Sequence, residues 1–191
     1  MKLSFSKLTP EIRAIRKLFL FAEVDVELNP FDRELPELEV EDCVLVGWKT
    51  VLVFAGRLSH KLSSDPLAAA VVMQWIDVES PGDDALHDDV ERLLRLVEVE
   101  FEKHNGEFLC DHTLNRSSAA DFLWRERLLH IKATWGVDAE TYPRTTTFLE
   151  CDPALDVRDD EEDQSDDERP ETPEGTLPGT LPGHPPSCAI A

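Results

Sequence analysis

The chain has 191 residues, 41% of them apolar, enough to bury one real core across one or two small domains. A formal net charge of −21 sets it against a phosphate backbone and argues against direct binding to nucleic acid. Cys43, Cys110, Cys151 and Cys188 are widely spaced with no C-x-x-C, a pattern of neither a disulfide framework nor a zinc site, which fits a reducing compartment.

The opening residues MKLSFSKLTPEIR have no apolar core of a signal peptide, and no apolar run approaches the ~20 residues that cross a bilayer. Lys2 to Ser6 alternates as a strand does. Thr9-Pro10-Glu11 is a helix start, with a capping Thr, Pro at the first helical position and an early acid. Ile12, Ile15, Leu18, Phe19 and Ala22 then recur at helical spacing, which predicts a helix over 10–23. Val24, Val26 and Leu28 alternate with acids as a second strand, completing a right-handed βαβ unit. Leu38 to Val46 offers two short strands. Lys49 to Leu62 reads as a helix with Val51, Leu52, Phe54, Ala55 and Leu58 apolar.

Asp65-Pro66 repeats the cap-then-proline start and opens a helix to about Glu79, with Leu67, Ala70, Val71, Trp75 and Val78 expected on its inner face. After Ser80-Pro81-Gly82-Asp83, the series Leu86, Val90, Leu93, Leu94, Val97 and Phe101 is the cleanest amphipathic pattern in the chain. Ser118, three residues before Asp121, then forms a capping box at the head of the apolar run Phe122, Leu123, Leu128, Leu129. Asp121 also lies where the helix dipole favours negative charge. Tyr142-Pro143 starts a last short helix, followed by Asp152-Pro153-Ala154-Leu155.

Gln74-Trp75, a long helix, Phe108-Leu109, the S-x-x-D box, Tyr142-Pro143-Arg144 and a terminal DPAL stand in the order and near spacing of glutathione transferases, which the chain resembles over about residues 1–155. The resemblance implies an α+β, mostly α fold. A reduced thioredoxin-like domain (residues 1–63) lacks its second helix, and an all-α transferase C-terminal bundle follows (64–155). It also places the family's cis-proline at Leu35-Pro36. A thiol site in this family needs a hydroxyl or thiol near the start of the first helix; Ser4, Ser6 and Thr9 qualify by position, against the plainer reading that Thr9 is only the helix cap and the serines flank a strand. The family's Glu/Gln-Ser pair that grips the γ-glutamyl end is replaced by Lys49-Thr50, a base in place of an acid. With the second helix gone as well, no catalytic residue and no cofactor is expected.

The tail from residue 156 is acidic and then Pro/Gly-rich. It holds eleven acids and two basic residues, leaving −12 for the first 155 residues, and cannot bury enough apolar surface to order itself. Its last residues, Cys188-Ala189-Ile190-Ala191, match C-a-a-X, so Cys188 is a prenylation candidate set against chance. One lipid would give weak, reversible membrane association. Ser165, followed by Asp-Asp-Glu, is a phosphorylation candidate set against an unmodified solvating tail. The histidines His87, His104, His112 and His130 show no metal-ligand spacing, so no metal site is expected. Cys43 and Cys110 read as buried small hydrophobes, and the four tryptophans as core or interface residues.

The closest flavour of the resemblance is the degenerate copy found in aminoacyl-tRNA synthetases, multisynthetase scaffold proteins and elongation factor 1 subunits. It implies a cytoplasmic, non-catalytic interaction module whose partners are transferase-like domains of translation factors. Arg144, a cation in the first turn of a helix, is the interface candidate, with a pair to Asp138 or Glu140 as its alternative. The other readings are a glutathione-dependent transferase or peroxidase with an unusual peptide site, and a prenylated membrane-tethered adaptor.

Overall fold

Stretches of period 2 and period 3.6 become strands and helices in a computed structural model of the chain, which describes residues 1–31, 35–82, 84–103, 108–109 and 117–150. The order is β1 (Lys2–Phe5), α1 (Pro10–Phe21), β2 (Glu27–Pro30), β3 (Glu37–Val40), β4 (Cys43–Val46), α2 (Trp48–Leu58), α3 (Pro66–Asp77), α4 (His87–Lys103), α5 (Ala119–Trp135) and α6 (Pro143–Glu150). The sheet runs β2-β1-β3-β4, with β1 parallel to β2 and the other pairs antiparallel. This is the reduced thioredoxin-like unit followed by a helical bundle. No helix lies between β2 and β3 among the described residues.

The sheet is one-sided. Leu3, Phe5 and Leu38 face α1 and α2 and join Ile15, Leu18, Val51 and Leu52 in the core. The registers set two rows on the opposite face: Val44, Glu39, Lys2, Glu27, and Val46, Glu37, Ser4, Asn29. A face written mostly in polar residues can stand against water, which is why the unit survives without a covering helix. Ser4 is buried there, and its hydroxyl accepts from Asn29 Nδ2 at 3.3 Å.

Helix starts follow their local chemistry. Thr9 Oγ1 accepts from the Ile12 amide at 3.4 Å, and Asp65 Oδ2 accepts from the Ala68 amide at 2.8 Å. At the head of α5, Asp121 Oδ2 accepts from both the Ser118 amide and the Ser118 hydroxyl at 2.7 Å. Its other oxygen accepts from the Leu109 amide, also at 2.7 Å, so this fully buried carboxylate ties the segment before α5 to the helix start. Helix α6 begins without a local cap. Glu98, two helices earlier on α4, accepts from the amides of Arg144 and Thr145 (both 2.8 Å) and from the Thr145 hydroxyl at 2.7 Å. A carboxylate at a helix N-terminus also meets the favourable end of its dipole.

Several expectations are corrected. Helix α3 buries Val72, Trp75 and Ile76, while Leu67 is 76% exposed and Ala70 is also outside. Its sequence PLAAAVVMQWID is apolar nearly all round, so spacing alone does not choose the face. Trp75 does, because its ring meets Trp124 edge-on at 5.7 Å and its carbonyl accepts from Trp124 Nε1 at 2.9 Å. Cys43 is exposed rather than buried, since it opens an edge strand directly after a tight turn. Leu58 and Leu129 lie partly outside the core. The Leu35–Pro36 peptide is trans, the ordinary form. The Pro36 carbonyl accepts from the Gly47 amide at 2.8 Å, which continues the pairing of β3 with β4.

Asp121→Ala should cost about 3 kcal/mol or more in denaturant unfolding, because it strands buried N–H groups that each cost ~1–3 kcal/mol. Ser118→Ala, which leaves the Asp121 links to both amides in place, should cost about 1 kcal/mol. Equal losses for the two variants would show that the carboxylate does not carry the junction.

Candidate functional site

One end of the sheet gathers the elements on which a thiol site in this fold depends. Ser4 pairs with Glu37, and Glu37 with Val46. Continuing those registers, Phe5, Pro36 and Gly47 share one row at the sheet end, and Ser6 stands one residue beyond it. With strands ~4.8 Å apart, Ser6 stands roughly 10 Å from Gly47 across the sheet end. Ser6 is exposed, at the carboxyl end of β1 and just ahead of α1. Open α/β sheets bind ligands at the carboxyl ends of their parallel strands. Thr9 is spent in part on capping α1.

Helix α2 opens the other side of this corner. Its N-cap is Gly47 (φ 88°), which offers no side-chain oxygen to the first amides of the helix. Uncapped amides at a helix N-terminus suit a carboxylate. Thr50 is exposed in the first turn. Lys49 turns outward to Asp77 at 2.8 Å, with its ammonium 5.5 Å from the Trp48 ring centre.

Arg127 holds this corner to the helical bundle. It is only 3% exposed, with its guanidinium 5.2 Å from the Trp48 ring and 5.4 Å from the Trp124 ring. Its Nε donates to Glu11 of α1 at 3.1 Å, and its Nη1 to the Val78 carbonyl after α3 at 2.7 Å. One side chain thus links α5 to the starts of α1 and α2 and to the end of α3. Burial pushes the Arg127 guanidinium below its ordinary range, against the pull of Glu11 and Glu79. Next to it, Glu126 is almost buried and takes Arg13 at 2.9 Å and Lys17 at 2.7 Å, both from α1.

The residues singled out from the sequence fall in separate places. Ser118 and Asp121 form the α5 start, away from the sheet corner. Arg144 contributes its amide to Glu98, while its side chain is exposed and has no ion pair among the described residues. Ser165 and Cys188 lie outside the described residues. Arg127, Glu126 and Glu98 went unremarked in the sequence, although Phe122-Leu123-Trp124 carries a usable signal. Three successive apolar residues point to three sides of a helix, so neighbouring charges on that helix meet protein rather than water.

Arg127→Ala should destabilise the chain by about 3–5 kcal/mol, because it leaves Glu11 and the Val78 carbonyl without their partner. The loss should be accompanied by a shift in tryptophan emission as Trp48 and Trp124 lose the cation between them. A loss below 1 kcal/mol in denaturant unfolding would show that the link is slack.

No family model matches the sequence, and none of the curated proteins does. Solved structures do. A glutathione S-transferase from Ascaris lumbricoides matches with a TM-score of 0.65 at 18% identity, over 78% of this chain and 89% of that one. The prostaglandin synthase D of Nilaparvata lugens matches with a TM-score of 0.65 at 15% identity, over 82% and 92%. A glutathione transferase homologue from Drosophila mojavensis, solved with bound glutathione, matches with a TM-score of 0.64 at 13% identity, over 78% and 85%. These findings overturn the expectation of a chain without catalysis, because the solved proteins it is similar to are described as transferases and a synthase. That expectation rested on the missing helix and on Lys49-Thr50: no helix lies between β2 and β3 among the described residues, whereas β1, α1, β3 and α2 are all present. None of them is described as a synthetase-associated or elongation-factor copy. At this level of identity the likeness is one of architecture, and the chain has the glutathione transferase fold with its thioredoxin-like unit reduced by one helix.

Proposed function

We propose that the chain is a glutathione-dependent transferase or peroxidase with an unusual peptide site. The observation that carries this reading is the exposed Ser6 hydroxyl at the carboxyl end of β1, ahead of α1 and across the sheet end from the uncapped start of α2. It is supported by the similarity to a homologue solved with glutathione bound. In this reading the Ser6 hydroxyl donates to the glutathione thiolate, and the positive end of the α1 dipole lowers the thiol pKa further. The thiolate sulfur attacks an electrophilic carbon and forms a C–S bond. The leaving group departs with its electron pair, and the thiol proton passes to solvent. The peptide carboxylate meets the free amides of α2 and the Thr50 hydroxyl. Lys49, held by Asp77, makes this end of the site unlike one built around an acid.

Purified protein mixed with glutathione and an aryl chloride should release chloride above the uncatalysed rate. Ser6→Ala should lower kcat/KM at least tenfold, about 1.4 kcal/mol of transition-state stabilisation. Turnover at background, together with no glutathione binding by calorimetry, would end the proposal.

Binding to another protein through Arg144 is a second reading, compatible with the first. It is favoured by the exposed guanidinium that the fold leaves unused. The fold needs only the amide of residue 144, so Arg144→Ala should leave the melting temperature nearly unchanged. It should weaken partner binding by about 2 kcal/mol. Translation-factor partners belong to this second reading, and a lipid on Cys188 to a membrane-tethered adaptor with other partners; mass spectrometry of protein made in a eukaryotic host reads the lipid directly.

A further inference from the structure

Strand β4 is an edge of the sheet, and its backbone is poised to pair outward. It is joined to β3 by the two-residue turn Glu41-Asp42, with Glu41 at φ 52°. The pair closing such a turn, Val40 with Cys43, is hydrogen-bonded. Gly47 donating to Pro36 at 2.8 Å shows the same parity at the other end of the strand. Cys43, Leu45 and Gly47 therefore bond inward to β3. The amides and carbonyls of Val44 and Val46 point out, and no described residue bonds to them. The side chains of these residues stand on the open face of the sheet, 56% and 47% exposed. The surroundings are acidic: Glu39 is paired with Val44, Glu37 with Val46, and Glu41 and Asp42 form the exposed turn. Lys2 lies two strands from β4 but directly opposite Glu39, and Lys49 is engaged with Asp77. Among the described residues, the turn acids Glu41 and Asp42 have no basic neighbour across the ladder.

We infer that the β4 edge takes up an extended, basic segment of a partner protein by strand addition. The outward groups of Val44 and Val46 supply the main-chain hydrogen bonds, and their side chains form a shallow apolar strip for alternate residues of the added strand. Glu41 and Asp42, in the exposed turn at the edge, select lysine or arginine on that strand. A second copy of this chain is the wrong occupant on charge: each copy carries −21, and the turn acids lie at the edge itself. The same acids that hold off a like strand attract a basic one.

The test uses the full chain and a fluorescein-labelled peptide of alternating lysine and valine, read by anisotropy. A second peptide of the same sequence, N-methylated at every residue, keeps the charge but has no backbone amide left to donate along either edge. Saturable binding of the first peptide, at least tenfold tighter than the second, is expected. Val44→Pro removes an outward amide without touching the β3–β4 ladder and should weaken binding at least tenfold, as should Asp42→Lys. Equal affinity for the two peptides would reduce the effect to charge alone and overturn the inference, whatever the variants do. Sedimentation showing dimers of the wild-type chain that Val44→Pro dissolves would also overturn it, by assigning the edge to a second copy.

Discussion

Helix α5 is surrounded by protein, and each ionised group it buries has to find its partner inside. Asp121, Glu126 and Arg127 are all nearly or fully buried, and each is answered. Asp121 takes the amides of Leu109 and Ser118, Glu126 takes two cations of α1, and Arg127 takes Glu11 and a carbonyl between two indole rings. Removing such a charge from water costs several kcal/mol unless charge-assisted bonds replace the hydration. Among the described residues, no buried side-chain nitrogen or oxygen is left without a partner. The requirement therefore fixes geometry as well as energy: α1 can pack on α5 only in the register that brings Glu11, Arg13 and Lys17 to their partners.

That register sets the corner at the end of the sheet. Helix α1 starts just after Ser6, and its first turn carries Glu11, the residue that meets Arg127. The same guanidinium lies against Trp48, the first residue of α2. Two of the elements that frame the corner, α1 and α2, are thus located by one side chain of the helical bundle. The start of β3 is held by the Gly47–Pro36 hydrogen bond. The helix that is absent would have followed β2, outside this set of restraints. Its loss opens one face of the sheet without releasing the corner.

Much of the architecture could be read from the sequence because it is written in local chemistry. Thr9-Pro10 and Asp65-Pro66 mark helix starts that depend only on their neighbours, and the Ser118–Asp121 spacing marks a third. The unreadable parts depend on contacts distant in sequence. The face of α3 is chosen by one indole on α5, not by its own periodicity. The start of α6 is capped by Glu98, 46 residues before Arg144, and no local spacing announces that pair. Lys49 was legible as a base in an acid's place, but its partner Asp77 lies 28 residues on. Cys43 looked apolar by its company; the sheet order, which puts its strand at an edge, reverses that reading.

Weighing the missing helix shows where sequence inference about activity goes astray. A deletion is conspicuous, and it is natural to let it decide function. What a thiol site requires, however, is a hydroxyl, a helix N-terminus and a backbone corner held within a small tolerance, and those requirements are local to the elements that supply them. The open face of the sheet carries mostly polar residues where no helix covers it, which answers a problem of solvation. At the corner a hydroxyl stands after β1, and the start of α2 has no side-chain cap. Gly47 there is held at φ 88°, a conformation in which a residue with a Cβ is strained, so the opening of the helix is specified by the backbone as well as by composition. Glycine at that position offers the first amides of α2 no side-chain oxygen, and an acidic or hydroxyl residue would cap them and occupy the site. The uncapped start is thus bound to the turn that brings β4 back into the helical layer, and it persists as long as that turn does.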